Sequence, residues 1–392
     1  MIGNDEDKIM KIKKIKASVH QFPVYLPMID KPIEQRVFTF CEVETEEGHR
    51  GSGVTGAFLP WSIVMALQHD ILPVVKDMDP RDTEAIHEKI WWTLNTRTYT
   101  GVISNALAAL DIALWDIKGK ETGRSVAQLL GGHKHYSDTY ITFGYPFFDH
   151  DQLVEYAKKF VDEGNTRLKM VVACDKDGWR EDARRIRTVR EAVGSDIDLM
   201  IDANYKFTPV EARLLCREIE DLNLTWFEEP LHQNDARALA NLRSRTNIPI
   251  AAGQMEGHRW RIRELVEKEA IDILQPNCCY NGGYTESQKA AHLAQTYNLP
   301  IANGGGWPIF NMHTMAGLMN GTWTEFHWGM WQAGQRFFKG APGPENNQVV
   351  IPDKPGLGFE PDYDMLKDSL VKDPEHLMEA GMLTNRDVIT KA

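Results

Sequence analysis

Residues 197–230 read IDLMIDANYKFTPVEARLLCREIEDLNLTWFEEP, a short apolar run, an amphipathic stretch and a second apolar run. The middle stretch has a complete helix start. Thr208 suits the N-cap, Pro209 the first helical position, and Glu211 completes a capping box. Short apolar runs on either side of a helix are typical of buried parallel strands. The stretch therefore predicts one strand–helix–strand unit.

The same unit repeats on both sides of this stretch. Helix-like segments such as DQLVEYAKKFVDEG separate eight short apolar runs, which are TYITFGY (139–145), RLKMVV (167–172), IDLMID (197–202), LTWFE (224–228), IPIAAGQ (248–254), IDILQPN (271–277), LPIAN (299–303) and TWTEF (322–326). Eight such units predict an α/β fold, a (β/α)8 TIM-type barrel. A doubly wound sheet is the alternative. The even spacing and the lack of a glycine-rich phosphate fingerprint disfavour it.

The chain before the barrel has another character. Lys11–Val19 and Arg36–Thr45 are rich in β-branched and aromatic residues, which predicts strands. Leucine and isoleucine then recur at spacings of three and four over residues 107–117, which predicts a helix. A second helix should end at the glycine pair 131–132. The tail from PGLGFE onward reads as loop and short helix, and we expect it to pack on the N-terminal region.

Composition restricts the partners. The chain has 392 residues, 42% hydrophobic and 26% charged, as in ordinary globular proteins. Its net charge of -12 argues against nucleic-acid or anionic membrane partners. No apolar run approaches the roughly 18 residues of a spanning helix, and the N-terminus lacks an apolar signal region. Five scattered cysteines form no disulfide or zinc framework, so we expect a reduced, cytoplasmic protein.

Oxygen-bearing side chains end three consecutive predicted strands. Asp202, Glu228 and Gln254 are evenly spaced, 26 residues apart. The active sites of such barrels lie at the C-terminal ends of the strands, so these side chains should converge. Oxygen ligands without Cys or His suit a hard cation, and one or two carboxylates suit Mg²⁺. The pattern predicts a Mg²⁺ site, with Glu256 a weaker alternative to Gln254.

The preceding strand carries Arg167 and Lys169, which face the same way because they are two residues apart. A lysine beside a guanidinium and near a divalent cation should have its ammonium form destabilised. Such a lysine can act as a base. We therefore expect Lys169 to take the α-proton of a substrate carboxylate, while the cation binds that carboxylate and holds the enediolate.

In their order and spacing the motifs of this chain resemble the enolase superfamily, mandelate racemase-like branch, over nearly the full length. They are AALDIALWDIKGKETGRSVAQLLGG, RLK, LMIDAN, WFEEP, AAGQ, ILQPN with the following GG, and PGLGFE. The resemblance implies an α+β capping domain, formed by the N-terminal region and the C-terminal tail, that closes over the barrel mouth. We therefore expect a cap over residues 1–132, a barrel over 133–340 and a returning tail over 341–392.

The resemblance also implies a set of site residues. Metal ligands end the third, fourth and fifth strands, which here are Asp202, Glu228 and Gln254. A Lys-x-Lys pair on the second strand supplies the base as its second lysine, which matches Arg167 and Lys169. The third ligand is usually Glu in this family, although some acid-sugar dehydratases use a neutral amide there. Losing that negative charge should weaken metal binding.

Two further departures bear on the reaction. Many relatives place an Asp–His dyad on the sixth and seventh strands, where this chain has Asn277 and Gly304. The familiar histidine acid/base is therefore absent. Arg167 replaces the first lysine of the pair and still offers positive charge and a bidentate grip on a carboxylate. Asn277, Asn204, Asn303 and Glu325 are candidates for substrate contact.

A single base favours elimination over two-base racemisation. Loss of water needs only α-proton abstraction and departure of the β-hydroxyl. We therefore predict a Mg²⁺-dependent sugar acid dehydratase that gives a 2-keto-3-deoxy acid. The alternatives are a racemase or epimerase of a 2-hydroxy or amino acid, then a cycloisomerase, or a non-catalytic metal-binding barrel. The habit of the family suggests a homo-oligomer.

Overall fold

A computed structural model of the chain describes residues 9–56, 58–95, 100–145, 147–173 and 177–373. The strands are β1 (Ile12–Val24), β2 (Glu34–Thr45), β3 (Arg50–Thr55), β4 (Tyr136–Phe143), β5 (Arg167–Val171), β6 (Asp198–Asp202), β7 (Phe227–Glu228), β8 (Ile250–Ala252), β9 (Ile273–Leu274), β10 (Trp323–His327), β11 (Phe338–Lys339), β12 (Gln348–Val350) and β13 (Glu360–Pro361).

The α-helices are α1 (Pro60–Met65), α2 (Leu72–Val75), α3 (Thr83–Leu94), α4 (Val102–Thr122), α5 (Val126–Leu130), α6 (His150–Asp162), α7 (Trp179–Val193), α8 (Pro209–Ile219), α9 (Ala236–Arg243), α10 (Arg259–Glu267), α11 (Gly283–Thr296), α12 (Pro308–Gly317), α13 (Trp328–Phe337) and α14 (Tyr363–Asp368). A π-helical segment, Ala66–Ile71, joins α1 to α2, and 3₁₀ turns cover Glu220–Leu222 and His232–Asn234. In this part of the chain no helix is long and apolar enough to cross a membrane.

The N-terminal part is an antiparallel sheet of order β1-β2-β3 that packs on the buried helix α4. Two glycines of β3 allow this close packing. A Cβ atom on Gly51 or Gly53 would lie only 2.0 or 2.1 Å from the carbonyl oxygen of Ala113 or Ala109. The sheet face and the helix could not approach this closely with larger residues. The predicted first strands and the helix end before Gly131 are confirmed.

The central sheet is parallel and follows the chain in the order β10-β4-β5-β6-β7-β8-β9. The predicted (β/α)8 barrel is confirmed, and so is the helix start at α8, where Thr208 caps and Glu211 closes the capping box. The seventh predicted strand, LPIAN, is reduced to single bridges from Ile301 to Leu274 and to Gly321. Pro300 lacks the N–H that a longer ladder needs. The Ile301 pairings nevertheless close the gap between β9 and β10.

The C-terminal tail returns to the N-terminal sheet. Val371 donates its N–H to the carbonyl of Val19 in β1. The strand β12 pairs with the first three residues of β4. Buried His313 of α12 links two further segments, because its Nδ1 accepts from the N–H of Ala127 and its Nε2 contacts the Leu357 carbonyl. These contacts support the division at residues 132 and 340, which stays a proposal.

The cysteines in the described part of the chain are free and buried, which fits the absence of a disulfide framework in the sequence. They are Cys41, Cys216, Cys278 and Cys279. Cys174 lies outside the described residues.

Candidate active site

Lys169 stands at the centre of a buried ionic cluster inside the barrel. Its Nζ lies 2.7 Å from Glu228 Oε2, 2.9 Å from Glu325 Oε1 and 3.3 Å from Asp202 Oδ2. Strand register produces this meeting. Residue 171, two beyond Lys169 on β5, pairs with Asp202 of β6, and Asp202 pairs with Glu228 of β7. The side chain of Lys169 is completely buried, so these carboxylates replace water around its ammonium.

The carboxylates decide the charge of Lys169. Burial alone would lower the pKa of Lys169, but the charges of Glu228, Glu325, Tyr140 and Asp202 raise it well above its usual range. The three surrounding carboxyl groups thus favour the ammonium in this arrangement, whereas the expected destabilisation presupposes a divalent cation beside Lys169 and stays a prediction. Lys169 becomes a base only when other positive charge neutralises those anions.

Arg167 does not join this cluster. Its guanidinium lies 4.9 Å from the centroid of the Trp323 ring, and its Nε is 3.7 Å from Asp198 Oδ2. Arg167, Asp198 and Trp323 are the first residues of β5, β6 and β10. They therefore lie at the end of the barrel opposite the mouth. The guanidinium is too deep in the barrel to grip a substrate carboxylate at the carboxyl ends of the strands.

Two buried oxygen atoms point into one small space at the mouth. Glu228 Oε1 and Gln254 Oε1 have no hydrogen-bond partner among the described residues. Each lies 3.1 Å from the position that a Cβ atom on Gly304 would take. Unsatisfied buried oxygens are costly unless a further group supplies positive charge or a proton. With Asp202 beside Glu228, the set fits a hard cation bound by oxygen ligands.

The orientation of the Gln254 amide is fixed by a neighbour. Gln254 Nε2 donates to Glu229 Oε2 at 2.7 Å, which leaves Oε1 free to face Glu228. Burial, and then the charge of Asp202, raise the pKa of Glu229 to about 7. Glu256 is engaged elsewhere, since it accepts from Asn234 and from Arg261 Nε at 3.1 Å. The geometry thus favours Gln254 over Glu256 as the third ligand.

Within the described part of the chain, no three His, Cys, Asp or Glu side chains are grouped so as to hold a metal ion. The reason is local. The third predicted ligand, Gln254, is an amide, and Lys169 Nζ lies between Asp202 and Glu228. The candidate metal set therefore depends on Gln254 as well as on the two carboxylates.

Gln275 was missed by the sequence reasoning although it lies in the ILQPN motif. Its Nε2 donates to Glu228 Oε2 at 2.7 Å, and Trp226 Nε1 donates to the same oxygen at 3.3 Å. Together with Lys169 these groups saturate Oε2, so Oε1 of Glu228 is the atom left for a ligand. An amide that follows an apolar strand looks like a turn residue in sequence, which hides this role.

The side-chain amides of Asn277 and Asn303 are hydrogen-bonded to residues 304–306, a run of three glycines called here the glycine loop. Asn277 Nδ2 donates to the Gly304 carbonyl at 2.6 Å, and its Oδ1 accepts from the N–H of Cys279. Asn303 Nδ2 donates to the same Gly304 carbonyl at 2.9 Å, while its Oδ1 accepts from the N–H of Glu325. Both side chains are completely buried. Substrate contact by either asparagine stays a prediction.

Glu325 and Asn204 border the cluster in different ways. Glu325 accepts from Thr142 Oγ1 and, at 2.7 Å, from the N–H of Gly306. Burial would raise its pKa, but Lys169 outweighs burial and the pKa of Glu325 is lowered. Asn204 lies in the turn after β6 with φ 45°, and its N–H donates to Asp202 Oδ1 at 2.8 Å. Glu325 thus links Lys169 to the glycine loop, while Asn204 orients Asp202.

A buried lysine among strand-end carboxylates, under an α+β cap, places this protein among the capped (β/α)8 barrel proteins. The chain belongs to the mandelate racemase/muconate lactonizing enzyme family of the enolase superfamily. Residues 12–131 match the mandelate racemase/muconate lactonizing enzyme N-terminal domain, and residues 152–365 match the enolase C-terminal domain-like family. The resemblance seen in the motifs is confirmed.

Several relatives of this chain are named as enzymes of sugar acids or of their lactones. It is 30% identical to the arabinonate dehydratase of Saccharolobus solfataricus, over 81% of this chain and 86% of that one. It is 31% identical to the D-galactarolactone cycloisomerase of Agrobacterium fabrum, over 93% of this chain and 100% of that one. A solved L-talarate dehydratase from Polaromonas, complexed with Mg and L-glucarate, superposes with a TM-score of 0.83 at 28% identity and covers 93% of this chain and 98% of its own.

Proposed function

We propose that this protein is a Mg²⁺-dependent dehydratase of a sugar acid, which removes the α-proton and the β-hydroxyl to give a 2-keto-3-deoxy acid. The observation that carries the proposal is the buried contact of Lys169 with Asp202, Glu228 and Glu325. The position of the dyad histidine holds Gly304, so that position offers no second base. One base suffices for elimination, whereas racemisation needs proton transfer on both faces.

The metal has a defined place in the proposal. Asp202, Glu228 and Gln254 would hold Mg²⁺, supported by the two unpartnered oxygens of Glu228 and Gln254. When bound, Mg²⁺ would supply the positive charge that offsets the carboxylates around Lys169 and would draw electron density from the substrate carboxylate.

The protein's own groups move the protons. Neutral Lys169 Nζ takes the α-proton, and the electron pair of that C–H bond passes into the bond between the α- and β-carbons. The C–O bond to the β-hydroxyl breaks, and the protonated Nζ returns its proton to the leaving oxygen as water. Glu325 keeps Nζ in place through its 2.9 Å contact. The enol that remains becomes the 2-keto acid when its β-carbon takes up a proton and its enol hydroxyl releases one.

The test is formation of 2-keto acid from a panel of aldonates and aldarates with Mg²⁺, followed with a carbonyl assay. We expect one or a few substrates to react and Lys169→Ala to abolish the reaction. Lys158→Ala, which removes an exposed lysine of α6, is the matched control and should react as the wild type does. Keto acid formed equally by Lys169→Ala would reject the assignment of Lys169.

A cycloisomerase is the second candidate, because the related D-galactarolactone cycloisomerase is covered over its whole length. Such a reaction also begins with one proton transfer at an α-carbon. Isomerisation of a sugar-acid lactone added to the panel, without loss of water, would favour a cycloisomerase, and stereoinversion of an open-chain acid would favour a racemase. Metal and sugar acid binding with no change in any panel member would favour a non-catalytic barrel.

We also propose a cytoplasmic homo-oligomer. The free cysteines of the described residues support a reducing compartment. The oligomeric part of the proposal rests on the resemblance to the enolase superfamily, whose habit is to form homo-oligomers. Cell fractionation tests the location, and light scattering of the purified protein tests the oligomeric state. A monomer at micromolar concentration would reject the second part.

A further inference from the structure

Arg36 of β2 extends from the cap towards the barrel. A Cβ atom on Gly329, which lies two residues after the end of β10, would be 3.2 Å from Arg36 Nε. Glu34 accepts a hydrogen bond from that Nε. The two Nη atoms of Arg36 donate to no group in the described ranges, and the side chain is 23% exposed. The guanidinium therefore keeps one edge free at the boundary between cap and barrel.

Three barrel side chains come from the mouth of the barrel on the side of this guanidinium. Gly329, whose Cβ position is 3.2 Å from Arg36 Nε, is two residues after His327. Tyr145 follows β4, the first barrel strand, and His327 ends β10, the eighth. Tyr280 follows the sixth strand, and a Cβ atom on Gly56 of the cap would lie 2.2 Å from its ring. Four separate segments thus contribute polar side chains to one cluster under the cap.

Two buried polar atoms of this group lack a hydrogen-bond partner among the described residues. Tyr145 Oη and His327 Nδ1 are buried and have no hydrogen-bond partner in the part of the chain that the structure describes. Tyr280 Oη donates to the Gly305 carbonyl at 3.4 Å. Together with the free Nη atoms of Arg36, the site offers a hydroxyl, an imidazole nitrogen and a guanidinium edge. Such a set matches an anion with several lone pairs, above all a carboxylate.

The group lies on the same side of the barrel as Lys169. His327 pairs with Thr142 of β4, and Thr142 pairs with Lys169 of β5, so the three residues share one level of the sheet. His327 is also two residues beyond Glu325 on the same face of β10, nearer the mouth. A substrate whose reacting end meets Lys169 can therefore extend towards Arg36.

We propose that Arg36, Tyr145 and His327 bind a second carboxylate at the far end of the substrate, so that the enzyme acts on an aldarate, a sugar diacid, rather than on an aldonate. This inference rests on the proposed function for the reaction, but it concerns binding and is testable without turnover. Glu34 holds the Nε edge and so orients the Nη edge. Its own carboxylate is 36% exposed, so water screens its charge.

The experiment measures Mg²⁺-dependent binding by calorimetry for pairs of six-carbon acids of one configuration, galactarate against galactonate and glucarate against gluconate. Wild type and Lys169→Ala, which holds ligand without turnover, are both used. We expect the better aldarate to bind about 10- to 100-fold more tightly than its aldonate, as for one charge-assisted contact. Arg36→Gln should remove this preference. Arg336→Gln, an exposed arginine of α13, is the matched control and should keep it.

Tyr145→Phe separates binding from folding. Its hydroxyl has no partner in the described residues, so the melting temperature of the free protein should not fall. The aldarate preference should fall several-fold. A lower melting temperature with no change in preference would give Tyr145 a structural role and overturn its place in the site.

The outcomes distinguish the two proposals. Arg36-dependent aldarate binding without keto acid formation would reject the dehydratase and keep the diacid site. Dehydration of aldonates at least as fast as aldarates, or an equal loss for both acids in Arg36→Gln, would overturn the diacid site and keep the dehydratase. Failure of every aldarate to bind would also overturn it.

Discussion

Lys169 Nζ donates to Glu228 Oε2 at 2.7 Å in a part of the barrel where both side chains are completely buried. Glu228 is the predicted metal ligand and Lys169 the predicted base, so the two functions share one hydrogen bond. Any charge brought to Glu228 must therefore alter the pKa of Lys169. The predictions below follow from that coupling.

Lys169→Met should destabilise the metal-free protein at neutral pH. The substitution leaves Asp202, Glu228 and Glu325 together without a cation, and breaking a buried ion pair in this way costs about 3–5 kcal/mol. Urea unfolding of wild type and variant with EDTA measures the loss. Added Mg²⁺ should restore most of it in the variant, because a cation would again balance the carboxylates. A variant as stable as the wild type in EDTA would contradict the ionic cluster.

The third metal ligand is tested by a pair of substitutions. Gln254→Ala should weaken Mg²⁺ binding about tenfold or more, because it removes the oxygen that faces Glu228. Glu256→Gln should leave the affinity nearly unchanged, since that carboxylate is bound to Asn234 and Arg261. Calorimetric titration with Mg²⁺ measures both. The reverse order of effects would make Glu256 the ligand.

Gly304→Ala should fill the space of the predicted metal ion. The new Cβ would lie 3.1 Å from Glu228 Oε1, Gln254 Oε1 and Gln275 Nε2, closer than ordinary contact. We expect Mg²⁺ affinity to fall about tenfold or more, with only a modest loss of thermal stability, because the polar side chains can shift by a few tenths of an ångström. Gly343→Ala is a control for a general glycine effect, because a Cβ atom there would make only ordinary contacts of 3.5 Å or more. Unaltered Mg²⁺ affinity in Gly304→Ala would place the ion elsewhere.

Because His313 is buried without charge, we expect the folded protein to lose stability in acid. Burial lowers its pKa from 6.5 to about 4, so below pH 6.5 the unfolded chain binds a proton that the folded protein excludes. The free energy of unfolding should therefore fall as the pH drops from 6.5 to 4, by about 3 kcal/mol from this residue. His313→Gln should be less stable at pH 7 but lose less on acidification. Urea unfolding at pH 7 and pH 5 measures the difference. Parallel slopes for both proteins would contradict the assignment.

The barrel could be predicted from sequence because its signals are local. Each apolar run and each capping signal, such as the one at Thr208, acts within a few residues of itself. The strand ends then place Asp202 and Glu228 side by side, since parallel strands share one carboxyl edge. These parts of the account need no knowledge of side-chain contacts.

The position of Arg167 could not be predicted in this way. Alternation along β5 places Arg167 and Lys169 on one face but does not show that Arg167, at the start of the strand, lies at the floor of the barrel. The contact of Lys169 with Glu325 could not be predicted for a related reason, because Glu325 comes from a strand about 150 residues later in the chain. The unpartnered atoms of Tyr145 and His327 likewise become visible only when distant segments meet.

The most direct test of the account is exchange of the substrate α-proton with solvent. The aldarate that binds best would be incubated with Mg²⁺ in D2O, with wild type or with Lys169→Ala, and its α-proton followed by NMR. We predict loss of that proton signal together with keto acid formation in the wild type, and neither in Lys169→Ala although the acid still binds. Exchange or dehydration that continues in Lys169→Ala would show that another group takes the proton and would contradict the central claim.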